Sequence, residues 1–143
     1  MQDLPLSDFP LKTYDKIRYA DTDRQGHVNN AVFSTFLETG RVEFLYHPEL
    51  PIHSEEASFV IASLNVHFLR EITWPGQVDI GTGILNVGNS SIRIFQKLFQ
   101  QGKPVASAET VIVQVWNHSG QSKPLSEEAK AVLEKWALGQ SKT

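Results

Sequence analysis

Residues 19–30 read Tyr-Ala-Asp-Thr-Asp-Arg-Gln-Gly-His-Val-Asn-Asn, so two carboxylates, an imidazole and two carboxamides crowd into one short stretch. A carboxylate can attack a carbonyl or activate water, and an imidazole can carry a proton near neutral pH. From Ala31 through Glu38 the chain turns apolar with a period of about 3.6 residues, the mark of an amphipathic helix. The polar stretch is therefore a loop that ends at a helix start. Backbone N–H groups there lack internal partners, and the helix dipole favours negative charge.

An asparagine side chain can accept from a first-turn amide, so Asn29 or Asn30 is the expected cap and the helix is expected to begin near Ala31. Asn29 can equally serve site polarity. Gly26 is expected to supply a backbone angle that other residues resist. Phe33, Phe36, Leu37, Gly40 and Phe44 fall on one stripe, with Ser34, Thr35, Glu38, Arg41 and Val42 toward the other side. Gly40 on that stripe costs about 1 kcal/mol against alanine, which predicts close approach by another backbone. Glu38 and Arg41, three residues apart, read as a helix-surface pair or as support for the site on an interface helix.

The rest of the chain must hold that loop and helix. At 143 residues one domain spanning 1–143 is expected. A net charge of −3 gives no general reason to bind nucleic acid or an anionic membrane, so neither is an expected partner. The absence of cysteine excludes disulfides, thiolate zinc sites and a cysteine nucleophile. His27, His47, His53, His67 and His118 lack ligand-like spacing, so no metal and no cofactor is expected. Residues 1–10 show neither a basic nor an apolar leader segment, and no apolar run approaches the roughly 20 residues that span a bilayer, so a cytoplasmic location is expected.

Residues 12–19 form a short strand candidate. His47-Pro48-Glu49-Leu50-Pro51 stops the helix, and the connector to Ser58 is expected to be exposed. Residues 59–69 alternate, with Val60, Ala62, Leu64, Val66 and Phe68 on one face and Phe59, Ile61, Ser63, Asn65 and His67 on the other. After the turn at Trp74-Pro75-Gly76 come strands over 77–87, 91–100 and 105–117. Gly88-Asn89 is expected to be a positive-φ hairpin turn, and Gln101-Gly102-Lys103-Pro104 the next turn. Tight turns predict a four-strand antiparallel meander. Gly81 and Gly83 leave room for something to lie against the sheet. Residues 126–138 form a last helix, capped by Ser126. The order predicts an α+β fold, a curved sheet wrapped round the helix that starts after Asn30. Phe95, Phe99, Ile112 and Trp116 are surplus to one apolar face, which points to association with a second copy.

The run Asp21-Thr22-Asp23-x-x-Gly26-His27-Val28-Asn29-Asn30, with Phe36, Glu38 and Arg41 on the helix and Pro75-Gly76 opening the next strand, resembles the hotdog-fold acyl-CoA thioesterases of the 4-hydroxybenzoyl-CoA thioesterase type. The similarity runs from about residue 12 to 117. It implies a hotdog protomer, a homodimer or homotetramer as working unit, and a CoA or acyl-carrier-protein thioester as substrate. Carried over by position, Asp23 is the catalytic carboxylate, attacking or activating water, with amides of residues 29–32 stabilising the oxyanion. Asn29 and Asn30 belong to the catalytic set on this basis. Gly26, His27, Val28 and Ala31 line the site, while His27 either shapes the loop or serves as base. The resemblance also places the mixed face of strand 59–69 opposite a partner's loop, making Ser63 and Asn65 candidate substrate contacts. CoA phosphates call for cations, and Arg70, Arg93, Lys97 and Lys103 are available. The chain departs from the pattern at Val115-Trp116-Asn117, where an acidic residue often ends the strand.

Two competing functions follow. A noncatalytic hotdog module would hold an acyl or aromatic ligand without needing Asp23. A hotdog dehydratase or hydratase would place a catalytic histidine and acid differently. No G-x-S-x-G elbow and no glycine-rich phosphate loop is present.

Overall fold

A computed structural model describes residues 3–52 and 54–138; His53 lies outside the described residues. Five strands form one antiparallel sheet: β1 (Leu11–Lys16), β2 (Ala57–Phe68), β3 (Gln77–Val87), β4 (Ser91–Gln100) and β5 (Lys103–Trp116). Their spatial order is β1-β3-β4-β5-β2. Helix α1 (Val32–Leu45) packs on one face, and α2 (Glu127–Lys135) follows the last strand. A curved antiparallel sheet around one long helix is the hotdog arrangement expected.

The four-strand meander is not what forms. Only β3, β4 and β5 follow one another; β2 pairs with β5 at the far edge. The reason lies in residues 69–76, which do not close a tight hairpin. Their backbone instead serves the polar loop: the Val28 N–H donates to the Ile72 carbonyl at 2.8 Å, and His27 bridges Thr73.

The helix-facing side of the sheet is marked by Gln96, whose amide donates to the Leu37 carbonyl at 2.9 Å and to Thr82 at 3.0 Å. Gly40 permits this, because a Cβ there would stand 2.5 Å from that amide and 2.7 Å from Ile80 and Thr82. Phe33, Phe36, Leu37, Gly40 and Phe44 are buried, as the stripe predicts. Arg41 is also buried, which corrects its assignment to the outward side.

Within β2 the pairing with β5 shifts between Ile61 and Ser63, so Ala62 is bulged out. The simple alternation therefore fails halfway. Phe59, Ile61, Leu64, Val66 and Phe68 share the helix-facing side, while Val60, Ser63, Asn65 and His67 share the outer side.

The surplus apolar side chains have packing partners within the chain. On the outer face Phe9 stacks on Phe95 with ring centroids 6.0 Å apart, and Phe9, Phe99 and Leu138 form a cluster. Gly81 and Gly83 make room for it: a Cβ on them would meet Phe9 at 2.5 Å and Leu138 at 2.7 Å. Ile112 is buried in the helix-side core, and the Lys123 ammonium lies 4.9 Å over the Trp116 ring. What remains uncovered is β2, whose Val60, Ile61, Leu64 and Phe68 are exposed.

Smaller departures have local causes. β1 ends at Lys16, and a 3-10 turn, Tyr19–Asp21, replaces the rest of the expected strand. The connector after α1 is not wholly exposed, since Ile52 plugs the core beside Phe44 and Leu45. The positive φ angles fall not at Gly88 but in the next turn, at Gln101 (54°) and Gly102 (79°). Ser126 caps α2, its hydroxyl accepting from the Ala129 amide at 3.0 Å. At the departure from the family pattern, Asn117 ties the end of β5 to the start of β2: its amide nitrogen donates to the Glu55 carbonyl at 3.1 Å, which a carboxylate could not do.

Candidate active site

The loop is a small hairpin with two unlike arms. Thr22 bridges Val28, and the Asp23 N–H donates to the His27 carbonyl at 2.8 Å. At its base Asp21 is 2% exposed and gripped by Arg18, whose backbone N–H donates at 2.8 Å and whose guanidinium donates at 2.6 and 3.1 Å. The Asp21 carbonyl takes the Asn29 amide at 2.9 Å, so this aspartate builds the loop. Burial pushes its carboxyl up, but the hydrogen bonds and charge of Arg18 together outweigh that and hold it below its ordinary value.

Asp23 stands on the same arm, two residues on toward the turn, exposed to solvent. Its Oδ1 accepts the amides of Gln25 at 2.9 Å and His27 at 3.2 Å, which fixes the carboxylate and leaves Oδ2 unengaged among the described residues. Gly26 completes the turn with φ of 83°. The His27 ring lies 2.9 Å from the Glu71 carboxylate, and Gln100 clamps Thr73 from both sides, donating at 2.8 Å and accepting at 3.1 Å.

The helix entrance differs from expectation in a way that bears on chemistry. Neither asparagine caps it: the N-cap position is Ala31, with no side-chain cap, and the Asn29 side-chain oxygen instead accepts from the Ala31 amide at 2.9 Å in the turn just before the helix. Of the amides expected to be free, Asn29 donates to Asp21, Ala31 to the Asn29 side chain, and Val32 to the Asn29 carbonyl. Among the described residues only the Asn30 N–H in this run has no acceptor. Asn30 lines a cleft of about 240 Å³ together with Val28, Phe33, Phe68, Arg70 and Glu71. Larger hollows of about 510 and 530 Å³ open elsewhere, one against Leu4 and Lys97 and one against Tyr14 and Gln77. Neither includes a residue of the loop, so the smaller cleft is the one that chemistry selects.

The structure thus gathers Asp23, Gly26, His27, Val28, Asn29, Asn30, Ala31 and Arg70 around one loop and cleft. Val28 is 5% exposed and is as much core as lining. Ser63, Asn65 and Arg93 are not brought there within a protomer. Ser63 and Asn65 lie on the outer side of the sheet, and Arg93 pairs with Glu109 of β5 at 3.4 Å. Lys97 is buried on that outer side, donating to the Leu4 carbonyl at 3.0 Å. Glu71 and Gln100 escaped sequence reasoning because their partners lie far along the chain; Arg18, three residues from Asp21, carried a readable local signal. Among the described residues no cluster of histidine and carboxylates has the makings of a metal site. No helix among them is long and apolar enough to cross a membrane.

Comparison with known proteins bears on the family of the chain. The chain is 25% identical to the YsmA protein of Bacillus subtilis over 82% of its own length and 80% of the relative's. It is 27% identical to the acyl-CoA thioesterase YbgC of Helicobacter pylori, over 59% of this chain and 63% of that one. A Thermus thermophilus thioesterase crystallised with coenzyme A and zinc superposes with a TM-score of 0.77 at 29% identity, covering 89% of this chain and 93% of the other. Residues 17–133 match the thioesterase-like superfamily, and the chain belongs to that family.

Proposed function

We propose that the protein hydrolyses an acyl-CoA thioester to free acid and thiol. Water supplies the oxygen and a proton to the departing thiolate, so no further reactant is needed. The observation that carries this reading is the Asn30 N–H, without an acceptor among the described residues, on a residue that lines the cleft and shares its loop with a carboxylate that keeps one oxygen unengaged. The thioester carbonyl oxygen accepts from that amide, and the positive end of the α1 dipole adds to the polarisation. Asp23 Oδ2 then either attacks the carbonyl carbon, giving a mixed anhydride, or takes a proton from the attacking water. After a single turnover in ¹⁸O-water, label in the aspartate marks an anhydride opened at the aspartyl carbon, whereas the general-base route leaves the aspartate unlabelled.

Arg70 at the cleft is the cation placed for a CoA phosphate; Arg93 is occupied by Glu109. The active form is a homodimer. β2 is a long edge strand with an apolar, unpaired side, and such an edge demands a partner. Release of free thiol from short, long and aromatic acyl-CoAs tests both activity and substrate class. Folded protein inactive across that panel, yet binding the same compounds, would mark a noncatalytic binder instead.

A further inference from the structure

The outer side of the sheet holds a hollow of about 530 Å³ that shares no lining residue with the cleft at Asn30. That volume falls within the roughly 300–1,000 Å³ of small-molecule sites. β1 forms one wall. Asp15 accepts from Thr39 of α1 at 2.8 Å, which puts it on the helix side, so strand alternation puts Tyr14 and Lys16 on the outer side. Across the ladder Tyr14 pairs with Asp79 and Lys16 with Gln77, and all four line the hollow. The turn between β4 and β5 adds Gln101.

The fold leaves these groups free. Tyr14 is 62% exposed, and among the described residues the Tyr14, Lys16 and Gln101 side chains have no hydrogen-bond or ion-pair partner. Asp79 accepts from Gln77 on Oδ1 at 2.8 Å and keeps Oδ2 unengaged. Gln101 is the one described residue other than glycine with a positive φ, 54°. Glycine, asparagine or aspartate is the ordinary occupant of such a hairpin position, so the long carboxamide stands there against backbone preference.

Each group matches a part of one ligand. An exposed ring gives a nucleobase a stacking platform, and a carboxamide can make paired hydrogen bonds to the N6 and N7 edge of adenine. A free carboxylate oxygen accepts from ribose hydroxyls, and an unpaired ammonium meets phosphate. Lys16 stands two residues beyond Tyr14, roughly 7 Å along the strand, in the order that base and phosphate require. We propose that this hollow binds an adenine nucleotide, with Tyr14 stacking the base, Gln101 reading its edge, Asp79 holding the ribose and Lys16 the phosphate. The nucleotide is either free or the 3′-phosphorylated ADP end of a CoA thioester, since both present the same groups. β1 is the sheet edge opposite β2, so the homodimer proposed above leaves the hollow open.

Isothermal titration of AMP, GMP and adenosine 3′,5′-bisphosphate into wild type, Tyr14→Ala, Lys16→Gln and Gln101→Gly decides it, with circular dichroism confirming fold. Wild type binds at least one of the two adenine nucleotides at one site per chain. Tyr14→Ala weakens that binding about tenfold or more through lost stacking. Lys16→Gln weakens it too and flattens its salt dependence. Gln101→Gly removes the preference for adenine over guanine without lowering the thermal midpoint, because glycine is at ease at positive φ. Absence of saturable binding, or binding that Tyr14→Ala and Lys16→Gln leave unchanged, overturns the site. GMP binding as tightly as the adenine nucleotides overturns the assignment of the base. Thiol release tells the two sources apart. Tyr14→Ala raises KM for acyl-CoA but not for the same acyl group on pantetheine where the hollow takes the substrate's own nucleotide, and changes neither where it takes a free one. Calorimetry needs no turnover, so the site is tested whether or not the hydrolase reading holds.

Discussion

Asp21 and Asp23 are two residues apart on one arm of the hairpin, yet the base and the tip of that arm treat them oppositely. Asp21 is buried, and all its acceptor capacity goes to Arg18 and, through its carbonyl, to Asn29. Asp23 is exposed, and only one of its oxygens is committed to the loop. A carboxylate saturated with donors is a structural part; one held by a single oxygen is oriented and still has an oxygen to react with. The base of the hairpin thus carries its stability, leaving the carboxylate nearer the turn available for chemistry.

The strongest test of that division is Asp23→Asn. The carboxamide oxygen can still accept from Gln25 and His27, so the thermal midpoint should move by no more than about 2 °C. Turnover should fall about 10³-fold or more, some 4 kcal/mol of barrier, as read by thiol release. A variant that kept its activity would make both aspartates structural and remove the contrast. Asp21→Ala should do the reverse. Losing the acceptor for the Arg18 amide and guanidinium should cost about 2 kcal/mol in urea unfolding, with turnover per folded molecule changed far less than in Asp23→Asn.

The same contrast has a pH signature. Because Arg18 holds the Asp21 carboxyl below its ordinary 3.8, outweighing the opposing effect of burial, the folded state binds this proton less readily than the unfolded chain. Its contribution to stability is therefore complete above that value and is lost as pH falls through the lowered one. Asp21→Asn should flatten the acid limb of stability below about pH 4, measured by denaturant midpoint against pH. An unchanged limb would mean that other carboxylates dominate acid unfolding.

How much of this was legible in the chain follows from the range of each interaction. The Phe33-to-Phe44 stripe, the Ser126 cap and the room above Gly81 and Gly83 are local or periodic, and the sequence displays them. The strand order was not legible, because the connector after β2 is committed to backbone bonds with His27 and Val28, some 45 residues earlier. The faces of β2 were misread past Ala62, since a bulge inserts one residue and reverses every later side chain. Arg41 looked like a surface residue because a period counts hydrophobicity and cannot foresee a buried charge. The loop motif offered Asn29 or Asn30 as the cap, but the helix starts one residue later with Ala31 as N-cap, and the Asn29 oxygen takes the Ala31 amide ahead of it.

An intermediate effect belongs to Arg70 on the connector that braces the hairpin's far arm, residues 27–29. If it meets a CoA phosphate, Arg70→Ala should raise KM for acyl-CoA about tenfold with little change in kcat. The same acyl group on a truncated pantetheine thiol, which has no nucleotide phosphates, should show no such rise. An equal rise with both substrates would place Arg70 against the acyl end instead.

The smallest effect distinguishes bracing from chemistry in the far arm itself. His27 and Glu71 stand 2.9 Å apart, but their side chains are 31% and 69% exposed, so solvent and salt screen the contact. Glu71→Gln should therefore change stability by no more than about 0.5 kcal/mol, and any loss should fade as ionic strength rises. The hairpin's position does not depend on that pair, because the Val28–Ile72 backbone bond and the Gln100 clamp on Thr73 persist without it. If Glu71→Gln instead lowered turnover strongly at unchanged stability and shifted the pH profile, His27 would be acting on a proton in the reaction. The hairpin would then hold two reactive groups, one on each arm, and Asp23 would share the role that its exposed oxygen otherwise fills alone.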